Sequence, residues 1–351
     1  MIFRQLFDTD SSTYTYLLGC PDTHQAVIID TVFEKHARDT ALIRELGLTV
    51  RYAMDTHVHA DHVTGAWLMR EHLGAQTVIS AQAGVDEVDV KASDGDVLAF
   101  GNQSVSVRAT PGHTDGCLTY VTRDKDMAFT GDCLLIRGAG RTDFQAGDAH
   151  RMWRSIQQQI FSLPADCLLY PGHDYDGRTV STVAEENAFN PRIGGEAREE
   201  DFVGYMENMA LPHPRLIDIA VPANMRGGKP EEGLAPETQD WGPVTRSFAG
   251  IPEILPDWVA RHREDLFLLD VRSEGEYSGE LGHVGNAMLI PLDELRERLQ
   301  EVPNDKPVIT ICQSGKRSAM AAQILLKSGI DQAANLAGGM IQWHRLGLPV
   351  A

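Results

Sequence analysis

From residue 3 to about residue 171, short apolar runs alternate with segments whose apolar side chains recur at helical spacing. Ala26-Val27-Ile28-Ile29 and Met127-Ala128-Phe129-Thr130 read as strands, and residues 61–73 and 150–163 as helices. The alternation predicts a mixed α/β fold. Several strands run straight into polar clusters: Tyr52-Ala53-Met54 into Asp55-Thr56-His57, Val107-Arg108-Ala109 toward Pro111-Gly112-His113, and Phe129-Thr130 into Gly131-Asp132. Polar groups gathered at strand ends predict loops converging on one site.

Between residues 226 and 248 the periodicity stops, and the chain becomes rich in Gly, Pro and charge. This reads as a linker at 229–248, joining a domain over 1–228 to one over 249–351. In the second, strand-like 266–271, 288–290 and 308–311 alternate with helix-like 292–300 and 317–327, which predicts a small α/β domain with a mainly parallel sheet. Two domains also suit the length, since 351 residues exceed what one core usually holds.

With 50 acidic and 31 basic residues the formal net charge is −19, which argues against nucleic acid or an anionic membrane surface as a partner. Anionic substrates therefore need locally placed Arg and Lys. Five cysteines (Cys20, Cys117, Cys133, Cys167, Cys312) are too few and too scattered for a disulfide framework. No run approaches the roughly 18 apolar residues of a membrane span, and the first residues show no basic-then-apolar signal pattern. A reducing, cytoplasmic setting is the expectation.

The segment Thr56-His57-Val58-His59-Ala60-Asp61-His62 sets four potential metal ligands within six residues. In extended chain His57 and His59 share a face, and a turn brings Asp61 and His62 back toward them. His113, Asp132 and His173 each follow an apolar run, so five of the chain's 13 histidines stand at strand ends. Imidazole with carboxylate suits iron, zinc or manganese, and a cluster without cysteine points to an open, reactive metal rather than a closed structural zinc.

This pattern, His-x-His-x-Asp-His followed by His113, Asp132 and His173, resembles the metallo-β-lactamase fold over about residues 1–228, which implies an αββα sandwich. In glyoxalase II-like hydrolases of that fold, seven ligands hold two metals around a bridging hydroxide. The local sequences Gly138-Ala139-Gly140-Arg141-Thr142-Asp143-Phe144, Tyr170-Pro171-Gly172-His173-Asp174-Tyr175, Glu185-Glu186-Asn187-Ala188-Phe189-Asn190-Pro191-Arg192 and Val221-Pro222-Ala223-Asn224-Met225-Arg226 resemble the persulfide dioxygenases. That resemblance implies one ferrous iron, Fe(II), per chain, held by residues matching His57, His113 and Asp132, with positions left for substrate and O2. It implies oxidation of glutathione persulfide to sulfite and glutathione, with His59, Asp61, His62 and His173 orienting ligands and water. Arg141, Tyr175 and Arg192 become the candidates for binding the glutathione portion, guanidinium being suited to carboxylate. A homodimer is the assembly the resemblance implies.

In the C-terminal part Cys312 follows the strand-like Val308-Ile309-Thr310-Ile311 and precedes Gln313-Ser314-Gly315-Lys316-Arg317-Ser318, after which a helix is predicted. A strand-loop-helix of this kind points backbone N–H groups and the positive helix terminus at the sulfur, and Lys316 and Arg317 add cationic charge. Such a cysteine is a nucleophile that can carry a persulfide. With Leu269-Asp270-Val271-Arg272, Glu276-Tyr277, Gly282-His283-Val284-Gly285-Asn286-Ala287 and Gly338-Gly339-Met340-x-x-Trp343 around it, the segment from 249 to 351 resembles a single-domain rhodanese. Arg317 at the fifth position after the cysteine matches that family's sulfur-handling loop rather than the longer phosphatase loop. Asp270, Arg272 and His283 are expected to brace the domain.

Joined, the two sites predict a bifunctional enzyme of sulfur metabolism. Cys312 takes a sulfane sulfur from a donor such as thiosulfate and passes it to glutathione, and the iron site oxidises the resulting persulfide. The expected partners are thus small-molecule thiols, persulfides and thiosulfate. Two alternatives stand beside this reading: a dinuclear zinc thioester hydrolase with a rhodanese domain, and a C-terminal domain that senses or docks sulfur without turnover.

Overall fold

Continuous apolar runs become strands buried along their whole length, as in Tyr14–Gly19, Leu118–Thr122 and Met127–Gly131, whereas the edge strand Val97–Phe100 alternates exposed and buried positions. The structure, a computed structural model, describes residues 1–230 and 241–351, so residues 231–240 of the expected linker lie outside the described residues. The chain divides into two compact units, Met1–His36 with Leu46–Ala235, and Ala37–Glu45 with Pro236–Ala351.

In the first unit, strands β1 to β6 (Ile2–Phe7, Tyr14–Gly19, Gln25–Ile29, Thr49–Met54, Gln76–Ser80, Val90–Ala92) form one sheet in sequential order. Strands β7 to β12 (Val97–Phe100, Gln103–Ala109, Leu118–Thr122, Met127–Gly131, Leu168–Pro171, Ser181–Thr182) form a second. The inner faces of the two sheets share a core containing Tyr16, Val27, Phe100, Val107, Phe129 and Tyr170. Phe129 stacks on Tyr170 at 5.4 Å and meets Tyr16 at 4.9 Å. Helix Ala66–Leu73 covers the outer face of the first sheet with Ala66, Leu68 and Met69. Helices Ala149–Ser155 and Glu199–Glu207 cover the second, against Val121, Ala128 and Leu169. The layers are helix, sheet, sheet, helix: the αββα sandwich.

Strand direction then decides where the polar clusters meet. Strands β3 and β4 are parallel, with Ile29 opposite Met54, so Asp30 and Asp55 emerge at the same edge. Strands β10 and β11 are parallel, with Gly131 opposite Pro171, so Asp132 and His173 emerge side by side. An isolated bridge between Thr13 and His173, with the Tyr14 N–H donating to the Gly172 carbonyl at 2.8 Å, ties the first sheet to the second at that edge.

Two helices of this unit differ from expectation, and the one expected over 150–163 is α-helical over Ala149–Ser155 and a π-helix over Ile156–Ile160. The pattern over 61–73 becomes helical only at Ala66, because the backbone before it is committed to tertiary partners. The Thr64 N–H goes to Asn224 Oδ1, the Gly65 N–H to the Thr31 carbonyl, and the His59 and His62 carbonyls to Asn224 Nδ2. None of these groups is left for an i to i−4 ladder.

The second unit holds strands β13 to β18 (Thr245–Arg246, Pro252–Ile254, Phe267–Asp270, Met288–Leu289, Val308–Ile311, Ala333–Leu336) in the order β13-β14-β18-β17-β15-β16. All pairs are parallel except β13 with β14, as the mainly parallel expectation required. Helix Lys316–Lys327 packs on β17 and β18. The helix expected over 292–300 is instead a series of turns around buried Leu295, with bonds such as Glu294 N–H to the Pro291 carbonyl and Glu297 N–H to the Glu294 carbonyl reaching back only three residues, closing in a 3₁₀ turn at Leu299–Glu301. Among the described residues no helix is long and apolar enough to cross a membrane.

Candidate functional site

His57, His113 and Asp132 come from three different loops at the common edge of the sandwich, yet one ligand atom from each lies within 4.8 Å of the other two. Each is held from behind. Thr56 donates its hydroxyl proton to Asp30 at 2.9 Å, so its oxygen accepts from His57 Nδ1 at 2.9 Å and leaves His57 Nε2 free. His113 Nδ1 donates to the Arg141 carbonyl at 2.6 Å, leaving its Nε2 toward Asp132 Oδ2 at 3.7 Å. Asp132 Oδ1 accepts from His173 Nδ1 at 2.7 Å, so its second oxygen remains available.

The electrostatics match this division. Burial lowers the pKa of His57 and His113, keeping both imidazoles neutral with a lone pair to give. Burial alone would raise Asp132, but His173, bonded to it and charged, holds it well below the usual carboxylate range. Two neutral imidazoles and one ionised carboxylate, already converged, are the protonation states a divalent cation needs, so the residues fit a metal.

Two glycines make the convergence possible. A Cβ on Gly140 would meet the Asp132 carbonyl oxygen at 2.3 Å and His113 Nδ1 at 3.0 Å, and one on Gly172 would meet Asp132 Oδ1 at 2.7 Å. Gly140→Ala should therefore displace both ligands and cut metal retained per chain by roughly 10–100-fold, as loss of ligand support typically does; metal analysis of the purified variant checks it. Retention equal to wild type would show that the loop yields without moving the ligands.

His59, Asp61 and His62 form a second group whose atoms also lie within 4.8 Å of one another. Their hydrogen bonding differs from that of the first group. Burial opposes a charge on His59, but Asp30, whose Oδ1 lies 3.3 Å from Nε2, outweighs it and raises the pKa to about 9. His173 has both nitrogens engaged, Nδ1 by Asp132 and Nε2 by Asp61 at 3.0 Å, and despite burial it is pushed well above an ordinary histidine. The buried Thr13 hydroxyl lies among these groups, 3.0 Å from His173 Nε2 and 3.2 Å from Asp61 Oδ2. His59 Nδ1 and His62 Nε2 are buried without a hydrogen-bond partner.

Asp61 and His62 open into a cleft of ≈ 790 Å³ that is also lined by Lys35, Arg141, Tyr175 and Arg215. Tyr175 is 72% exposed and stacks on His173 at 6.1 Å. Arg141 is present but engaged: Asp143 takes it bidentately at 2.6 Å, and the Leu211 and Pro212 carbonyls accept from it as well. Arg192 does not line this cleft; it donates to the Ala139 carbonyl at 2.7 Å and lies over the Tyr205 ring, bracing the loop that carries Gly140 and Arg141. Arg215, which no sequence pattern singled out, lines the cleft as an exposed cation.

The second candidate site lies where the buried Cys312 leaves β17. Gly315, at φ 88°, turns its N–H to Cys312 Sγ at 3.2 Å, and the Ser318 hydroxyl lies at 3.2 Å. Burial raises the thiol, but Ser318 and the N–H groups of Ser318, Ser314 and Gly315 outweigh it and bring its pKa below the ordinary value. The expected cations are arranged otherwise. Arg317 gives both terminal nitrogens to Glu276, at 2.7 and 2.5 Å, and Lys316 is exposed, as are Gln313 and Ser314. Asp270 and Arg272 form a buried bidentate pair, with Arg272 also donating to the Gly282 and Glu276 carbonyls, which is the bracing role expected of them.

Comparison with known proteins gives two family matches: the metallo-beta-lactamase superfamily over residues 8–173 and the rhodanese-like domain over residues 255–346. The human protein "Persulfide dioxygenase ETHE1, mitochondrial" is 53% identical over 229 residues, covering 65% of this chain and 89% of that relative. The crystal structure of ETHE1 from Myxococcus xanthus is 50% identical with a TM-score of 0.63, covering 65% of this chain and 100% of that one. A metallo-beta-lactamase from Staphylococcus aureus subsp. aureus COL shares the fold across 96% of this chain and 98% of its own, with a TM-score of 0.62 at 23% identity.

Proposed function

We propose, because the chain belongs to the persulfide dioxygenase family of the metallo-beta-lactamase superfamily and carries a rhodanese-like domain after it, that it is a bifunctional enzyme acting on one kind of sulfur. Its N-terminal domain oxidises glutathione persulfide with O2 to sulfite and glutathione, and its C-terminal domain transfers sulfur between thiosulfate and glutathione through Cys312. It works in the cytoplasm. The observation that carries the first activity is the set His57, His113 and Asp132, two imidazoles and one carboxylate whose ligand atoms already converge.

These three residues would hold Fe(II). Bound there, iron supplies the one-electron chemistry that lets O2 react with sulfur, which side chains alone do not provide. The remaining work belongs to the protein. Asp30 through Thr56, and the Arg141 carbonyl, fix the tautomers of His57 and His113, and His173 aims Asp132. The cleft takes the glutathione portion. Since Arg141 is already paired with Asp143, and Lys35 with Asp8 and Asp10, Arg215 is the exposed cation of the cleft with capacity to meet a substrate carboxylate, beside Tyr175. Arg215→Ala should raise KM for glutathione persulfide about tenfold, the worth of one charge-assisted hydrogen bond, with kcat little changed. A fall in kcat at constant KM would place Arg215 elsewhere in the reaction.

In the second domain the Cys312 thiolate attacks the outer sulfur of thiosulfate, the S–S bond breaks, and its electron pair leaves on sulfite. A glutathione thiolate then attacks the outer sulfur of the Cys312 persulfide, giving glutathione persulfide and regenerating the Cys312 thiolate. The N–H of Gly315 is the group turned to the charge, and the hydroxyl of Ser318 lies at the same distance from the sulfur.

One observation favours a second reading: His59, Asp61 and His62 converge as the first set does, which suits a dinuclear zinc hydrolase. Metal analysis of protein purified without added metal decides between them. One iron per chain with persulfide-driven oxygen uptake supports the dioxygenase, and two zinc per chain with thioester hydrolysis supports the alternative.

A further inference from the structure

Beneath the Cys312 sulfur, residues from β14, β18 and helix Lys316–Lys327 form a chain of polar groups. Ser318 Oγ lies 3.2 Å from Cys312 Sγ and 2.6 Å from Asn335 Oδ1, and Asn335 Nδ2 donates to Glu253 Oε1 at 2.8 Å. Cys312, Ser318 and Asn335 are buried, and Glu253 is half-buried. The carboxylate fixes the amide's orientation: it can only accept, so Nδ2 faces Glu253 and the carbonyl oxygen faces Ser318. Ser318 therefore has two acceptors and one proton to give. Both contacts are of normal hydrogen-bond length for their acceptors, sulfur and oxygen, so the proton is contested, and one of its two places is the Asn335 bond.

While its proton is on that bond, Ser318 presents the sulfur with a lone pair, which suits an S–H and opposes a thiolate. To donate to the thiolate, Ser318 must leave Asn335 Oδ1 buried with no donor. A loaded Cys312 has no such conflict, because the sulfur attached to Cβ then carries neither proton nor full charge, the charge residing on the outer sulfur. We propose that Asn335, held by Glu253, is a positioning residue that commits the Ser318 proton and thereby disfavours free Cys312 thiolate relative to both the thiol and the persulfide. The inference rests on the reading of Cys312 as a sulfur carrier. The other charged groups around the loop are balanced in pairs: Arg317 on the helix with Glu276, and Asp270 at the end of β15 with Arg272, while Lys316 is exposed.

The test follows the pH dependence of Cys312 alkylation by iodoacetamide in the full chain, read by mass spectrometry of the peptide that contains it. Asn335→Ala removes the competing acceptor. Glu253→Gln keeps the shape but supplies an acceptor or a donor, so the Asn335 amide can turn and donate to Ser318 Oγ, releasing the Ser318 proton to the sulfur. Both variants should lower the alkylation midpoint by about one pH unit, a tenfold gain in thiolate below the midpoint. Charge alone gives the opposite sign for Asn335→Ala, since the Glu253 carboxylate loses its donor and opposes a second anion. An unchanged or raised midpoint in Asn335→Ala overturns the proposal. So does the same downward shift when Asn335→Ala is made in a Ser318→Ala background, where there is no proton to contest. Failure of the sulfur-carrier reading is seen separately, as wild-type Cys312 that gains no sulfur mass from thiosulfate.

Discussion

Replacing Asp132 with alanine is expected to abolish oxygen uptake driven by glutathione persulfide and to leave the purified chain without iron. Asp132 is the anionic member of the converging set, so its loss leaves two neutral imidazoles to hold a divalent cation. It also releases His173, which is charged because Asp132 and Asp61 hold its two nitrogens, and leaves that charge buried with one carboxylate in place of two. A partner one step removed from a metal typically costs 10–100-fold when mutated, and His173→Gln should fall in that range. Asp132→Ala should go below about 1% of wild-type uptake, beyond the range for such outer partners. An oxygen electrode and metal analysis on the same preparations read both quantities. If Asp132→Ala kept its iron and more than about a tenth of the uptake, the assignment of these three ligands would fail. Thiosulfate:glutathione sulfurtransfer by the same preparation should be unchanged, which separates the two sites, and circular dichroism of the variant should match wild type.

The strand-loop punctuation of the sequence marked the residues that the fold gathers at one edge, for a physical reason. Strands of continuous apolar residues must lie between two packed layers, and the polar residues that end them can only emerge at an edge. His57, Asp132 and His173 could thus be located from pattern alone, and parallel pairing of β10 with β11 turned two of them into neighbours. What the pattern could not supply is how side chains are used. Arg141 and Arg192 are arginines of suitable type near the site, but one is paired with Asp143 and the other braces a backbone carbonyl. Arginine chemistry says what a guanidinium can bind, while the fold decides what already occupies it.

Residues that act at long sequence separation were equally hidden. Thr13 stands 160 positions from His173, yet their polar atoms are 3.0 Å apart. Asn224 holds the backbone of the loop at residues 59–64 from 160 to 165 positions away, through the His59 and His62 carbonyls and the Thr64 N–H. A threonine without a local motif carries no periodic signal, and the run from Val221 to Arg226, singled out by resemblance, did not say what Asn224 holds. Their effect on the reading of 61–73 was direct, because the apolar spacing there is helical while the backbone groups that a helix needs are already satisfied elsewhere. The same holds in the second domain, where Arg317 lies in the loop motif but Glu276, contributed by another part of the chain, takes its charge.

Cys312→Ser should remove sulfurtransfer while leaving the iron site at work, and this contrast tests the joined reading. The replacement is close in size at a buried position, so the loop held by Gly315 and Ser318 has little reason to move. A serine hydroxyl, however, is neither ionised near neutral pH nor able to carry sulfane sulfur, so transfer from thiosulfate to glutathione should drop to background, a loss of at least about 10³-fold of the kind seen when a covalent nucleophile is removed. Oxygen uptake then becomes a readout for both domains. With glutathione persulfide supplied directly, the variant should consume oxygen as wild type does. With thiosulfate and glutathione supplied instead, wild type should consume oxygen after making its own persulfide, and the variant should not. Uptake from thiosulfate and glutathione that persists in Cys312→Ser would mean that the persulfide is made without this cysteine, and the second site would lose its assigned role. Loss of uptake from preformed persulfide would mean that the substitution had reached the metal domain, which nothing in the chemistry of a sulfur carrier requires.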